Sequence, residues 1–144
     1  MKAILCLGLI LAGSLPAIAA DAPDDVQSLQ GLWLPASAEL SGQPMSQDLL
    51  KVISLRLDNG RYEVFVAGEP DRGTYAVSAG SNPKSMLVIG TVGPNHGRCF
   101  PAIYDLEGDT LRICYDLSGA AYPTDFKSAA GTKLYLVTYN RKRE

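Results

Sequence analysis

Val52-Ile53-Ser54-Leu55-Arg56-Leu57-Asp58-Asn59-Gly60-Arg61-Tyr62-Glu63-Val64-Phe65-Val66 reads as a β-hairpin. Asn59-Gly60 is the strongest short hairpin signal, because both residues tolerate positive φ. The flanks, Val52 to Leu57 and Tyr62 to Ala67, are rich in strand formers, and Tyr62, Val64 and Val66 share one face.

The same pattern extends in both directions, with glycine-containing turns recurring at intervals of roughly ten residues. A first strand runs from about Leu32 to Leu40 and breaks at Ser41-Gly42-Gln43-Pro44. Ser46 can cap one helical turn, Gln47 to Lys51, the only helical candidate beyond the first twenty residues. Past the hairpin, Gly68-Glu69-Pro70-Asp71 turns the chain into strands at Arg72 to Val77 and Ser85 to Thr91. Gly93-Pro94-Asn95-His96-Gly97 is a loop. Arg98 to Leu106 and Thr110 to Tyr115 form a second hairpin across Glu107-Gly108, and Lys133 to Arg141 closes the chain after a long segment holding Pro123. The sum is an all-β meander of eight strands. A flat sheet of that size leaves edges open to other chains. Pairing the last strand with the first removes them and gives an eight-stranded antiparallel up-and-down barrel. A two-sheet sandwich is the alternative.

The amino end predicts export. Lys2 is followed by an apolar run from Ala3 to Ala12, then Pro16 and the small residues of Ala17-Ile18-Ala19. This is the layout of a secretory signal peptide over residues 1–20. The run is too short to cross a bilayer core of roughly 30 Å, and Cys6 lies inside it rather than after it, which argues against a lipoprotein anchor. Residues 21–28, opening Asp21-Ala22-Pro23-Asp24-Asp25, read as a flexible leader, and 29–144 as the barrel domain. The expected location is periplasmic or extracellular. With 13 basic and 15 acidic side chains in 144 residues, the formal net charge is −2. That balance carries no footprint of nucleic-acid binding. Arg141-Lys142-Arg143, answered by Glu144, reads as a solvated terminus.

Gly31-Leu32-Trp33 at the start of the first strand resembles the Gly-x-Trp motif of lipocalins and other calycins. In those families an arginine of the last strand packs over the tryptophan and closes one barrel end. The matching position is Arg141, and the contact is worth roughly 0.5–2 kcal/mol as a cation–π pair. Gly31, Trp33 and Arg141 are thus structural candidates. A longer series of blocks is similar to an uncharacterised Planctomycetes-type family of small lipocalin-like domains. These are Leu29-Gln30-Gly31-Leu32-Trp33, Ser37-Ala38-Glu39, Gly42-Gln43-Pro44, Gly93-Pro94-Asn95, Ile103 through Leu111, Pro123-Thr124-Asp125-Phe126 and Tyr139-Asn140-Arg141. They fall in the family's order. The resemblance implies the barrel and implies no activity. His96 stands where that family commonly has lysine. Cys99 stands where it has a hydroxyl-bearing or aliphatic residue, so the resemblance implies no Cys99–Cys114 bridge.

The export compartment itself permits a disulfide between Cys99 and Cys114. With Glu107-Gly108 as the turn, Leu106 faces Asp109 and Pro101 faces Cys114. The cysteines then share a face as diagonal neighbours, typically 7–8 Å apart, at the margin for a disulfide. Compartment tips the expectation towards a bridge.

Little else suggests chemistry. His96 cannot form a metal site alone, and no ligand-spaced cluster, nucleophile elbow, P-loop or dinucleotide fingerprint is present, so no cofactor is expected. His96 reads as a solvated loop residue, and Asp105, Glu107 and Asp109 as turn chemistry. Tyr62, Phe65, Tyr75, Phe100, Tyr104, Tyr115, Tyr122, Phe126, Tyr135 and Tyr139 are spread over the strands and the last long loop. Inside a barrel such rings can line a pocket with polar tips or plug it, and outside they meet water. Their number in a narrow barrel predicts a mostly filled interior. The function expected is non-enzymatic: binding a small apolar ligand or a protein partner at the barrel mouth. The alternative is a protease inhibitor acting through the leader 21–28.

Overall fold

The computed structural model describes residues 21–143; the signal-like segment 1–20 and Glu144 lie outside the described residues. After α1 (Asp21–Leu29) come β1 (Gly31–Leu40), the short β2 (Gln43–Pro44) and α2 (Gln47–Leu50). Then follow β3 (Ile53–Asp58), β4 (Arg61–Val66), β5 (Glu69–Ser78), β6 (Ser85–Val92), β7 (Cys99–Glu107), β8 (Thr110–Asp116) and β9 (Leu134–Lys142). From β3 onward each strand pairs antiparallel with the next, and β9 returns to β1. The result is the expected closed eight-stranded barrel, with β2 as a small extension of β1. No helix among the described residues is long and apolar enough to cross a membrane.

Local chemistry sets the turns. Asn59 and Gly60 both take positive φ, as a two-residue hairpin turn requires. Ser41-Gly42 and Ala67-Gly68 do the same. The second of these moves a strand boundary: β5 begins at Glu69 and runs through Pro70, where the sequence reads a turn. Ser46 caps α2 by accepting from the Leu49 amide. α2 fills a gap, because β1 pairs with β3 only from Gly31 to Trp33. Beyond that point the strands part, and Leu50 turns inward between them to join the core.

One barrel end is packed shut. Trp33, Leu111, Val137 and Ala102 are fully buried, with Tyr104 nearly so. The Arg141 guanidinium lies over the Trp33 ring, 4.3 Å from its centroid. The two residues face each other across the β1–β9 seam. Gly31 makes room: its φ is +138°, and a Cβ there would come 3.2 Å from an Arg141 nitrogen. Residues 21–29 are helical here, in place of a flexible leader. The Trp33 indole N–H donates to the Leu29 carbonyl at 2.8 Å, and Arg141 donates to those of Ser28 and Gln30. Free carbonyls at a helix C-terminus welcome such donors. Farther up α1, Asp25 accepts from the Tyr104 hydroxyl and pairs with Lys84.

Cys99 and Cys114 are both free thiols. The expected register is displaced: Gly108, with φ +58°, takes the first turn position, so Glu107 pairs with Thr110 and Ile103 with Cys114. Cys99 then lies four residues from the partner of Cys114, about 13 Å along the strand at ~3.3 Å per residue. That is far outside disulfide reach. Cys114 is buried on the outer face of the barrel under the segment 117–133, and its thiol donates to the Lys127 carbonyl. Asp116 anchors that segment by accepting from Ser118 and the Ala121 amide.

Trp33→Ala should destabilise the fold by about 3–5 kcal/mol in urea denaturation. Arg141→Lys, which keeps the charge but loses the planar fork, should cost less, about 1–2 kcal/mol. In the folded protein iodoacetamide should label Cys99, and Cys114 only after denaturation, as peptide mass mapping would show.

Candidate functional site

The interior is not filled. Above the packed end the barrel holds a cavity of about 490 Å³, within the range of small-molecule pockets, roughly 300–1,000 Å³. Sequence reading predicts a plugged interior because it counts aromatic residues without assigning their depth. Register assigns it. Trp33 and Tyr104 crowd the closed end, while Phe65, Tyr122 and Phe126 are not among the side chains lining the cavity. Phe126 instead lies beneath the Arg112 guanidinium, 4.0 Å away. The walls of the open half carry mid-sized residues such as Leu55, Val64, Val88 and Ile113.

Aromatic residues reach the wall from five strands: Tyr62 of β4, Tyr75 of β5, Phe100 of β7, Tyr115 of β8, and Tyr135 and Tyr139 of β9. Tyr115 and Tyr135 are register partners and stack with ring centroids 5.7 Å apart. Burial pushes the Tyr135 hydroxyl up to about 12 and raises those of Tyr115 and Tyr139 further. Tyr75, deeper, is almost fully buried, and its hydroxyl has no hydrogen-bond partner among the described residues. Burial raises its pKa, and the Gly60 backbone opposes that rise without reversing it.

The mouth is polar on one side. Asp71 accepts from the Asn95 amide at 3.3 Å, the Asn95 side chain at 2.8 Å and the Tyr62 hydroxyl at 3.4 Å. Burial, then the Asp71 charge and hydrogen bond, lift Tyr62 to about 12. Asn95 reaches this place because the loop 93–98 folds back onto β6. The Gly97 amide donates to the Gly90 carbonyl, and the Gly90 amide to that of Arg98. A Cβ on Gly90 would sit 2.0 Å from the Asn95 carbonyl oxygen, so only glycine permits the fold-back. Arg98 ends the loop with its guanidinium 5.1 Å from the Phe100 ring centroid, and Lys133 lines the same opening.

The other candidates lie elsewhere. His96 is exposed on the loop and does not line the cavity. Asp109, at the closed end, is held below the ordinary carboxylate range by Arg143 and Arg141. Asp105 pairs with Arg112 on the outside. Among the described residues no group of three or more His, Cys, Asp or Glu is placed to hold a metal ion. Asp71, Asn95, Arg98 and Lys133 are absent from the sequence-based expectation. Asp71 carried a signal: it has the parity of Gly73 and Tyr75 on β5, so it faces inward.

Fold and site together define a single-chamber antiparallel β-barrel, shut at one end and open at the other. No family model, curated protein or solved structure matches this chain.

The raised tyrosines set an alkaline limit. Their folded pKa values exceed the ordinary 10, so the unfolded chain loses these protons first as pH rises. Stability should be unaffected by these groups below pH ~10 and fall between about pH 10 and 12. Ultraviolet titration of phenolate in parallel with chemical denaturation checks this.

Proposed function

We propose that this chain is an exported, non-enzymatic binding protein that takes a small apolar molecule into its barrel. The observation that carries the reading is the cavity of about 490 Å³, walled by aliphatic and aromatic side chains and open at one end only. Apolar surface inside such a chamber gains by covering itself with an apolar guest, at roughly 25 cal/mol per Å² removed from water. The signal-like layout of residues 1–20 supports export. The Trp33–Arg141 pair supports kinship with the lipocalin-like family that the sequence resembles. Inhibition of a protease by the leader gains no support, since α1 is bonded to the closed end through Asp25, Leu29 and the carbonyls that Arg141 engages.

Titration with neutral N-phenylnaphthylamine tests the reading. The folded protein should give a saturable fluorescence increase. Val88→Phe and Val64→Phe place extra carbon into open space, where overpacking strain is small. Each should weaken binding at least about tenfold, equivalent to about 1.4 kcal/mol, with an unchanged circular dichroism spectrum. No saturable signal with the wild-type protein, or full binding in both variants, would remove the cavity as the binding site.

A further inference from the structure

We infer that the guest is an amphipathic anion, its apolar chain in the barrel and its negatively charged head at the mouth between Arg98 and Lys133. The inference rests on the binding reading above and adds the chemical class of ligand.

The charges at the mouth are unequal in their satisfaction. Asp71, the carboxylate there, accepts three hydrogen bonds, from the Asn95 amide, the Asn95 side chain and the Tyr62 hydroxyl. Its demand for positive charge or further donors is therefore small. Arg98 and Lys133 have no carboxylate partner among the described residues. Both residues line the opening, and their chain segments are tied through Leu117: the Arg98 side chain donates to the Leu117 carbonyl at 3.3 Å, and the Leu117 amide donates to the Lys133 carbonyl at 3.0 Å.

Their direction matters as much as their sign. Phe100 is a buried side chain of the barrel interior, and the Arg98 guanidinium lies over its ring. The cation is therefore drawn over the inner lip rather than outward. One guanidinium nitrogen is committed to Leu117, which leaves other donors of the fork for an incoming acceptor. A carboxylate suits that fork geometrically. Directly below lie apolar walls, and Leu40 and Val66 line the rim while remaining exposed. A molecule that meets both surfaces at once has an apolar body and an anionic end.

Matched twelve-carbon probes separate this inference from the reading beneath it. Dodecanoate, dodecanol and dodecyltrimethylammonium, each below its micellar concentration, compete with N-phenylnaphthylamine for the full chain. Dodecanoate should bind about tenfold tighter than dodecanol, the order expected of partly solvated charge contacts, and the cation should bind most weakly. Added salt should shrink the preference, because screening lengths fall to about 10 Å at 0.1 M. Arg98→Gln combined with Lys133→Gln should bring the dodecanoate-to-dodecanol ratio close to one, while Lys142→Gln, at the closed end, should leave it as in wild type. Equal binding of all three probes would overturn the anionic head and leave the apolar chamber standing. Tighter binding of the cation would assign the mouth to Asp71 instead. If no probe competes, both the chamber and its head-group site fall.

Discussion

A guanidinium sandwiched between an indole ring and the end of a helix organises this molecule. Arg141 stacks on Trp33, donates to the carbonyls of Ser28 and Gln30, and pairs with Asp109. These contacts join the first strand, the last strand, the β7–β8 turn and α1 at one point. Barrel closure depends on β9 finding β1 across nearly the whole described chain, a pairing whose loop-closure entropy must be met before its contacts can reward it. A buried aromatic with a fixed cation above it defines the register of that seam, since a one-residue slip would turn Trp33 or Arg141 to the opposite face.

The packed end and the hollow end are consequences of each other. Bulk is concentrated low in the barrel, where Trp33, Tyr104 and Leu111 meet under α1. Above it, aliphatic residues such as Leu55, Val64 and Val88 and the rings of Phe100, Tyr115 and Tyr135 wall the cavity without filling it. One hydrophobic cluster runs from Trp33 and Leu111 at the closed end up to Val88 and Phe100 in the cavity wall. The mouth is shaped by backbone more than by side chains. Gly90 admits the returning loop, the loop delivers Asn95, and Asn95 holds Asp71.

The topology was legible because its determinants are local. Period-two alternation and Asn59-Gly60 specify a hairpin without reference to the rest of the chain. Trp33 and Arg141 were legible through resemblance, which carries the memory of a long-range contact that no local pattern contains. The β7–β8 register was not. Gly108 could serve as either turn residue, and moving it by one place shifts the facing pairs by two, enough to part Cys99 from Cys114. The α1 helix also escaped: Ala22, Val26 and Leu29 fall at helical spacing, but three apolar residues among nine read as a polar leader. Its bonds to Tyr104, Trp33 and Arg141 come from residues far away in sequence. Arg98 and Lys133 resembled ordinary loop charges until the barrel closed and set them over one opening.

The placement of the two ends of the described chain has a practical meaning. α1 enters and β9 leaves on the same side, where Leu32 pairs with Lys142. The chamber opens on the other side, so an attachment made through residue 21 or residue 143 holds the barrel like a cup by its base. A sensor surface, a fluorescent fusion or a cell-wall tether joined at either terminus would present the opening outward and leave access to it unobstructed.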